Sequence, residues 1–169
     1  MSAALQPVPL DSGAPVPGAL LALNNAHAQE LSRLDTRRMA ELTGASFVTL
    51  TAGEGAALLI AFDEGAAYDS ENFLWFRARY PRFVYIDRVV VDPAARGQGL
   101  AARLYSALFA QALASGRTLV TCEVNTDPPN PGSMAFHNAQ GFAEVGRARL
   151  ATDKRVAYLA RDLTQMSED

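Results

Sequence analysis

The apolar positions of the chain change period once, sharply, just past its middle. From Phe83 to Val91 they run with a single charged break, through Val84-Tyr85-Ile86 and Val89-Val90-Val91. A β-branched apolar run of that kind reads as a strand covered on at least part of both faces. Asp92-Pro93 stops it, because proline gives no donor to a ladder and restricts the residue before it. From Leu100 the period is helical: Leu100, Leu104, Ala107, Leu108 and Ala112 share a face. The pattern predicts a central strand over 83–91 and a long helix over 99–115, joined by a turn carrying Gly97 and Gly99.

The same reading orders the rest. Residues 1–18 carry Pro7, Pro9, Pro15 and Pro17 and predict an extended arm or an edge strand. A helix is predicted over 19–33, with Leu20, Leu23, His27 and Leu31 on one face and Asn24 beside them. Asp35 is placed to cap a second helix over 36–42, and Gly44 suits its end. Apolar runs at 47–51 and 56–63 flank Gly53-Glu54-Gly55, a hairpin signal. Phe73, Trp75, Phe76 and Tyr80 cluster at spacing that allows a short helix. Those rings either complete the core or form an acceptor-pocket wall or a dimer surface. A strand over 118–124 is followed by Asp127-Pro128-Pro129-Asn130-Pro131, a stiff lead into a helix over 132–140. An antiparallel pair over 143–150 and 155–162 ends the pattern. This order predicts an α+β fold with a mixed sheet. The strand–helix–strand unit through Gly97 makes its pair parallel, with a right-handed crossover. A single domain is expected over 19–163, with an arm over 1–18 and a tail over 164–169.

Composition narrows the function. The 169 residues suffice for one substantial core. A net charge of −3 offers no general attraction to nucleic acid or an anionic membrane. The single cysteine, Cys122, excludes an intrachain disulfide and reads as a buried thiol in a reducing compartment. No Lys or Arg precedes Arg33, and the apolar run at 19–23 is short. A signal peptide or membrane span is therefore not expected, and a cytoplasmic location is. Two histidines and one cysteine make no metal-ligand cluster, so no metal is expected.

A strand that runs through a glycine turn into a helix start is an anion site in outline. The first amides of a helix lack intrahelical partners, and the dipole is positive there. A phosphate could take those amides, with Arg96 adding a full charge. Arg96-Gly97-Gln98-Gly99 resembles the acetyl-CoA loop of the GNAT superfamily of N-acetyltransferases, Q/R-x-x-G-x-G/A. Gly97 and Gly99 match its glycines; Ala94 departs from its opening Gln or Arg, which leaves Arg96 as the charged contact. A second block, 130–142, resembles the family's N-x-x-A-x-x-F/L-Y-x-x-x-G-F. Asn130, Phe136, Gly141 and Phe142 match, Ser133 replaces the alanine, and His137 stands where the family has tyrosine.

The resemblance implies a GNAT-like fold in which two parallel strands splay around the pantetheine arm of acetyl-CoA. It implies that Gly97, Gln98, Gly99, Leu100 and Ala101 offer amides to the pyrophosphate and that Arg96 and Arg103 add charge. It also implies that Val89, Val90 and Val91 pair with pantetheine through backbone. Asn130, Ser133 and Phe136 complete the donor site. The activity implied is acetyl transfer from acetyl-CoA to a primary amine of a small molecule or protein, by direct attack in a ternary complex.

Such transfer needs a base for the amine and an acid for the thiolate. Regular alternation places Tyr85, Asp87, Val89 and Val91 on one face of the central strand. Asp87 is then either the base or a salt-bridge partner of Arg88 or of a neighbouring strand. Glu123, alternating with Thr121 and Asn125, is the other inward carboxylate. His27 and Glu30 on the first helix, with Trp75, Tyr80 and Tyr85, are expected to border the acceptor. His137 is expected either to protonate the thiolate, leaving a falling alkaline limb in turnover, or to pack and cap locally while another acid acts. Two further readings compete. One is a CoA-binding sensor or interaction module without catalysis. The other is a dinucleotide-binding domain, disfavoured by the missing third glycine and the few βα units. A homodimer is expected from the aromatic run and the apolar C-terminal strand.

Overall fold

In the computed structural model, residues 5–27 and 33–165 are described. Strand β1 (Val8–Pro9) precedes helices α1 (Gly18–Ala26) and α2 (Thr36–Ala45). The hairpin β2 (Val48–Ala52) and β3 (Ala57–Asp63) leads to α3 (Glu71–Arg77) and β4 (Val84–Val91). Helix α4 (Leu100–Ala114), β5 (Leu119–Asp127), α5 (Pro131–Ala139), β6 (Ala143–Arg149) and β7 (Arg155–Asp162) follow. One seven-stranded sheet runs in the order β1-β2-β3-β4-β5-β7-β6, and only β4 and β5 are parallel. This is the mixed α+β architecture that the pattern implied.

Local chemistry explains most boundaries. The Asp35 carboxylate caps α2 by accepting the Arg38 amide at 2.7 Å. Two boundaries differ from expectation. Gly44 lies inside α2, which runs on to Ala45. Helix α1 stops at Ala26, where His27 adopts a non-helical conformation, rather than reaching residue 33. Beyond it Asn25 holds the chain by bonding both the amide and the carbonyl of Leu34 at 2.8 Å.

The sheet is covered on both faces. Helices α4 and α5 bury Leu59, Val84, Ile86, Val120, Cys122 and Val124 on one. Helices α1, α2 and α3 bury Leu58, Ile60, Phe62, Tyr85, Val90 and Tyr158 on the other. Phe73 and Phe76 are fully buried in that second core, so the aromatic run completes the core at these positions. Strand β7 lies between β5 and β6. Phe73, Phe76 and most of β7 thus face inward in this chain, while Trp75 and Tyr80 are half-buried. No helix among the described residues is long and apolar enough to cross a membrane.

The central strand departs from regular alternation. Ala61 pairs with Ile86 and Ile60 with Arg88, so Asp87 is an extra residue without a partner on β3. A bulge of this kind puts two successive side chains on the same side. Asp87 and Arg88 both turn toward the α1 face, and Val89 and Val91 pack toward α4. The expectation that Tyr85, Asp87, Val89 and Val91 share a face is thus corrected. The bulge resets the register between Tyr85 and the valines.

Candidate active site

The parallel pairing of β4 with β5 lasts for two residue pairs, Val84 with Val120 and Tyr85 with Thr121. Beyond them the strands diverge. A cavity of about 270 Å³ fills the gap, walled by Ile86–Val89 and Cys122–Asn125, with Tyr105, Asn130, Ser133 and His137 along it. The outer edges of both strands stay paired, to β3 and β7. The inner edges are open to a ligand that can itself pair as a strand. Val89 lines the gap, whereas Val90 is buried against the opposite helices.

At the end of β4 the Asp92 carboxylate accepts the Ala94 amide at 3.0 Å and closes a single 3₁₀ turn, Pro93–Ala95. Gly97 and Gly99 follow with φ of +87° and +71°, and no atom lies within 4 Å of where a β-carbon would sit. These angles favour glycine, and the space in front of them is open. The ladder of α4 begins with the Arg103 amide on the Gly99 carbonyl at 3.0 Å. The amides of Leu100, Ala101 and Ala102 precede it and have no intrahelical acceptor. Arg96 and Gln98 are exposed beside them. Arg103 borders a separate shallow cavity with Gln6, Pro7 and Ser106.

On the α4–α5 side, Asn130 caps α5 by accepting the Ser133 amide at 3.2 Å, and it also borders the gap. Phe136 does not reach the cavity; it packs edge-on against Tyr105 with centroids 5.0 Å apart. His137 is buried, and both ring nitrogens are engaged. Its Nδ1 lies 2.8 Å from the Ser133 carbonyl, which can only accept, so Nδ1 carries the proton. Its Nε2 lies 2.7 Å from the Tyr105 hydroxyl, which must then donate to it. Burial lowers the His137 pKa, so the ring is neutral at pH 7. A neutral ring bonded in this way has no N–H left for a sulfur. The alkaline limb expected from its titration does not follow either, because the titration is moved toward acid.

The other side of the gap carries the carboxylates. Glu123 accepts the Tyr85 hydroxyl at 2.6 Å. Burial pushes the Glu123 carboxyl up to about 8; the negative charge of Asp87 adds to this, and the Tyr85 bond opposes it. Asp87 accepts the Tyr68 hydroxyl at 2.6 Å and pairs with Arg88 at 2.9 Å, both side chains nearly inaccessible. The Arg88 guanidinium reaches on to the Asn24 side-chain oxygen at 2.9 Å. Asp87 thus makes the salt bridge that was one of its two expected roles, and Glu123 faces the cavity with a carboxyl tuned toward neutrality.

The expected acceptor residues are only partly brought together. Tyr85 reaches the site through Glu123. His27 ends α1 and borders a different cavity, with Ala22, Gly55 and Pro93. Glu30 lies outside the described residues. Trp75 stacks on Tyr158 at 4.2 Å, and its indole fills the space that a side chain at Gly146 would need. Tyr80 packs on Phe76. Neither lines the gap, although Tyr158 is the cross-strand partner of Glu123. Sequence reasoning missed Tyr105 and Tyr68. A buried tyrosine hydroxyl needs a partner, but in the α4 stripe Tyr105 looks like one more core ring. Among the described residues no group of three His, Cys, Asp or Glu could hold a metal ion.

The chain is similar to known proteins in both sequence and shape. The model of the Acetyltransferase (GNAT) family matches residues 28–142. No curated protein matches the sequence. Among solved structures, aminoglycoside 6'-acetyltransferase type Ii superposes with a TM-score of 0.70 at 15% identity, covering 95% of this chain and 99% of that one. A chain of the NatC complex bound to Gag peptide and CoA gives 0.66 at 13% identity, covering 94% and 99%. A GNAT family acetyltransferase from Elizabethkingia anophelis with acetyl-CoA bound gives 0.62 at 12% identity, covering 94% and 97%. At these identities the structures establish the fold alone. The family match covers well over half of the chain, and with it the loop at Gly97 and the helix at His137: the protein belongs to the GNAT family of acetyltransferases.

Proposed function

We propose that the protein is an acetyl-CoA-dependent N-acetyltransferase acting on a small primary amine by direct attack in a ternary complex. The observation that carries this reading is the gap between β4 and β5, with a carboxyl poised near pH 8 on one wall and open amides at the α4 start. The pyrophosphate of acetyl-CoA would take the amides from Gly97 to Ala101, with Arg96 as counter-charge. The pantetheine would pair with the open edge at Val89–Val91 and bring the thioester into the cavity. One β4 amide would bond the carbonyl oxygen as charge develops there. The amine nitrogen attacks the carbonyl carbon, its proton passes to the Glu123 carboxylate directly or through water, and the C–S bonding pair leaves with the sulfur.

Helix α3 supports a small acceptor. It is pinned across the β6–β7 hairpin by Glu71 on the Ala151 amide at 3.2 Å, Asn72 on the Tyr158 hydroxyl at 2.9 Å, and Trp75 over Gly146. Helix α1 is held as well, by the Arg88 guanidinium donating to the Asn24 side-chain oxygen. The test is release of CoA from acetyl-CoA with a panel of small amines and of peptides. Turnover of at least one small amine, well above that of any peptide, is expected. Calorimetric binding of CoA without transfer to any amine would favour the non-catalytic reading.

A further inference from the structure

We propose that Tyr105, a residue of α4 outside both sequence motifs, is the catalytic group that stabilises the departing CoA thiolate, and that His137 is its positioning residue. This rests on the acetyl-transfer reading above. The Tyr105 ring is fully buried among Phe109, Phe136 and Phe142, so its orientation is set by packing. Tyr105 lines the gap cavity together with His137, Cys122 and Glu123. The Ser133 carbonyl fixes the His137 tautomer, and the remaining lone pair on Nε2 holds the Tyr105 proton at 2.7 Å.

In the resting site the hydroxyl therefore has a single neutral acceptor. As the C–S bond breaks, its electron pair passes to sulfur and a charged acceptor appears in the same cavity. Hydrogen bonds to charged acceptors are about twice as strong as neutral ones, so the Tyr105 O–H swings from Nε2 to the thiolate. No proton leaves the phenol. The amine proton resides on Glu123, and the thiolate takes its proton from solvent after release. Burial raises the Tyr105 pKa well above its ordinary value, which keeps the phenol a donor and disfavours full transfer. A histidine would otherwise be the evident acid at this place, but here its one N–H is already spent on backbone.

The experiment reads the product thiol directly. CoA is bound to the protein, and its thiolate is titrated by ultraviolet absorbance. In the wild-type protein the bound thiol should titrate about one to two units below the roughly 8.5 of a free thiol. Tyr105→Phe keeps the ring packing and should return the value to that of free CoA, with turnover lowered about a hundredfold and CoA affinity within about twofold. His137→Phe should lose part of the shift. His137→Gln, whose amide oxygen can accept the phenol proton, should keep more of it. A wild-type bound thiol that titrates at or above the free value overturns the inference without any variant. So does a lowered value that survives in Tyr105→Phe. A protein that binds no CoA at all would instead overturn the acetyl-transfer reading on which it rests.

Discussion

Glu123→Gln tests the base and the electrostatics of the gap together. The carboxyl is pushed from 4.5 to about 8, so at pH 7 about a tenth of it is ionised and at pH 9 about nine-tenths. Turnover at saturating substrates should therefore climb about tenfold from pH 7 to 9 along an acid limb centred near pH 8. Glu123→Gln should lower turnover by about a hundredfold or more and remove that limb, leaving only the titration of the amine itself. Two neighbours should move the limb in opposite directions. Tyr85→Phe deletes the hydrogen bond that lowers the Glu123 pKa and should shift the limb to higher pH. Asp87→Asn deletes the negative charge that raises it and should shift the limb to lower pH. Stability gives a readout independent of substrate. The native state holds the Glu123 proton up to about pH 8, while the unfolded chain releases it near 4.5. The stabilisation is full below the lower value and is lost as pH rises through the upper one. The loss amounts to roughly 2–3 kcal/mol between pH 6 and 9. Urea midpoints across that range should fall in the wild type and fall less in Glu123→Gln. Unchanged turnover and an unchanged acid limb in Glu123→Gln would refute the reasoning. So would a limb that moves the same way in Tyr85→Phe and Asp87→Asn.

Gly99→Asp places a carboxylate in the open space before the α4 amides. It should weaken CoA binding at least tenfold by calorimetry, where Gln98→Ala, on an exposed position, should cost little. Cys122 lines the gap but is buried, with its thiol pushed well above the usual range; alkylation at neutral pH should be slow in the native protein and become fast only on unfolding. Arg88→Met leaves the Asp87 carboxylate buried without its cation and should cost about 3–5 kcal/mol in denaturant unfolding, whereas removing the exposed pair of Arg147 with Glu144 should leave the unfolding midpoint nearly unchanged.

Period and punctuation made the elements readable. The shift from a β-branched run to helical spacing at Leu100 is seen in β4 and α4, and Asp35 caps α2 as its position suggested. The loop at Gly97 and Gly99 was readable because it needs backbone conformations that favour glycine. The carboxylate wall of the gap was not, because it depends on contacts between residues far apart in sequence. Tyr68 meets Asp87, Asn24 meets Arg88, and Tyr85 meets Glu123. Alternation along one strand cannot foresee such meetings, and it fails outright where the strand bulges. His137 was singled out by its place in a motif, but its partner Tyr105, 32 positions away, decides what the ring can donate.

The bulge itself had a readable cause. Asp87 and Arg88 are consecutive charges inside an apolar strand that is covered on both faces. In a regular strand they would point to opposite sides, and Arg88 would enter the core under α4 without its carboxylate. An unpaired buried charge of that kind is among the costliest features a core can hold. One extra residue brings both charges to the α1 face, where they pair and meet Tyr68 and Asn24, and it keeps Val89 and Val91 under α4. The parallel ladder stops at the same place. Continued from Tyr85 and Thr121, it would bring Asp87 opposite Glu123. Two carboxylates directly opposite in a sheet would repel, and the negative charge of Asp87 is part of what keeps Glu123 protonated. The residues that tune the proposed base thus lie where the β4–β5 ladder ends, and the gap proposed to receive the thioester begins there.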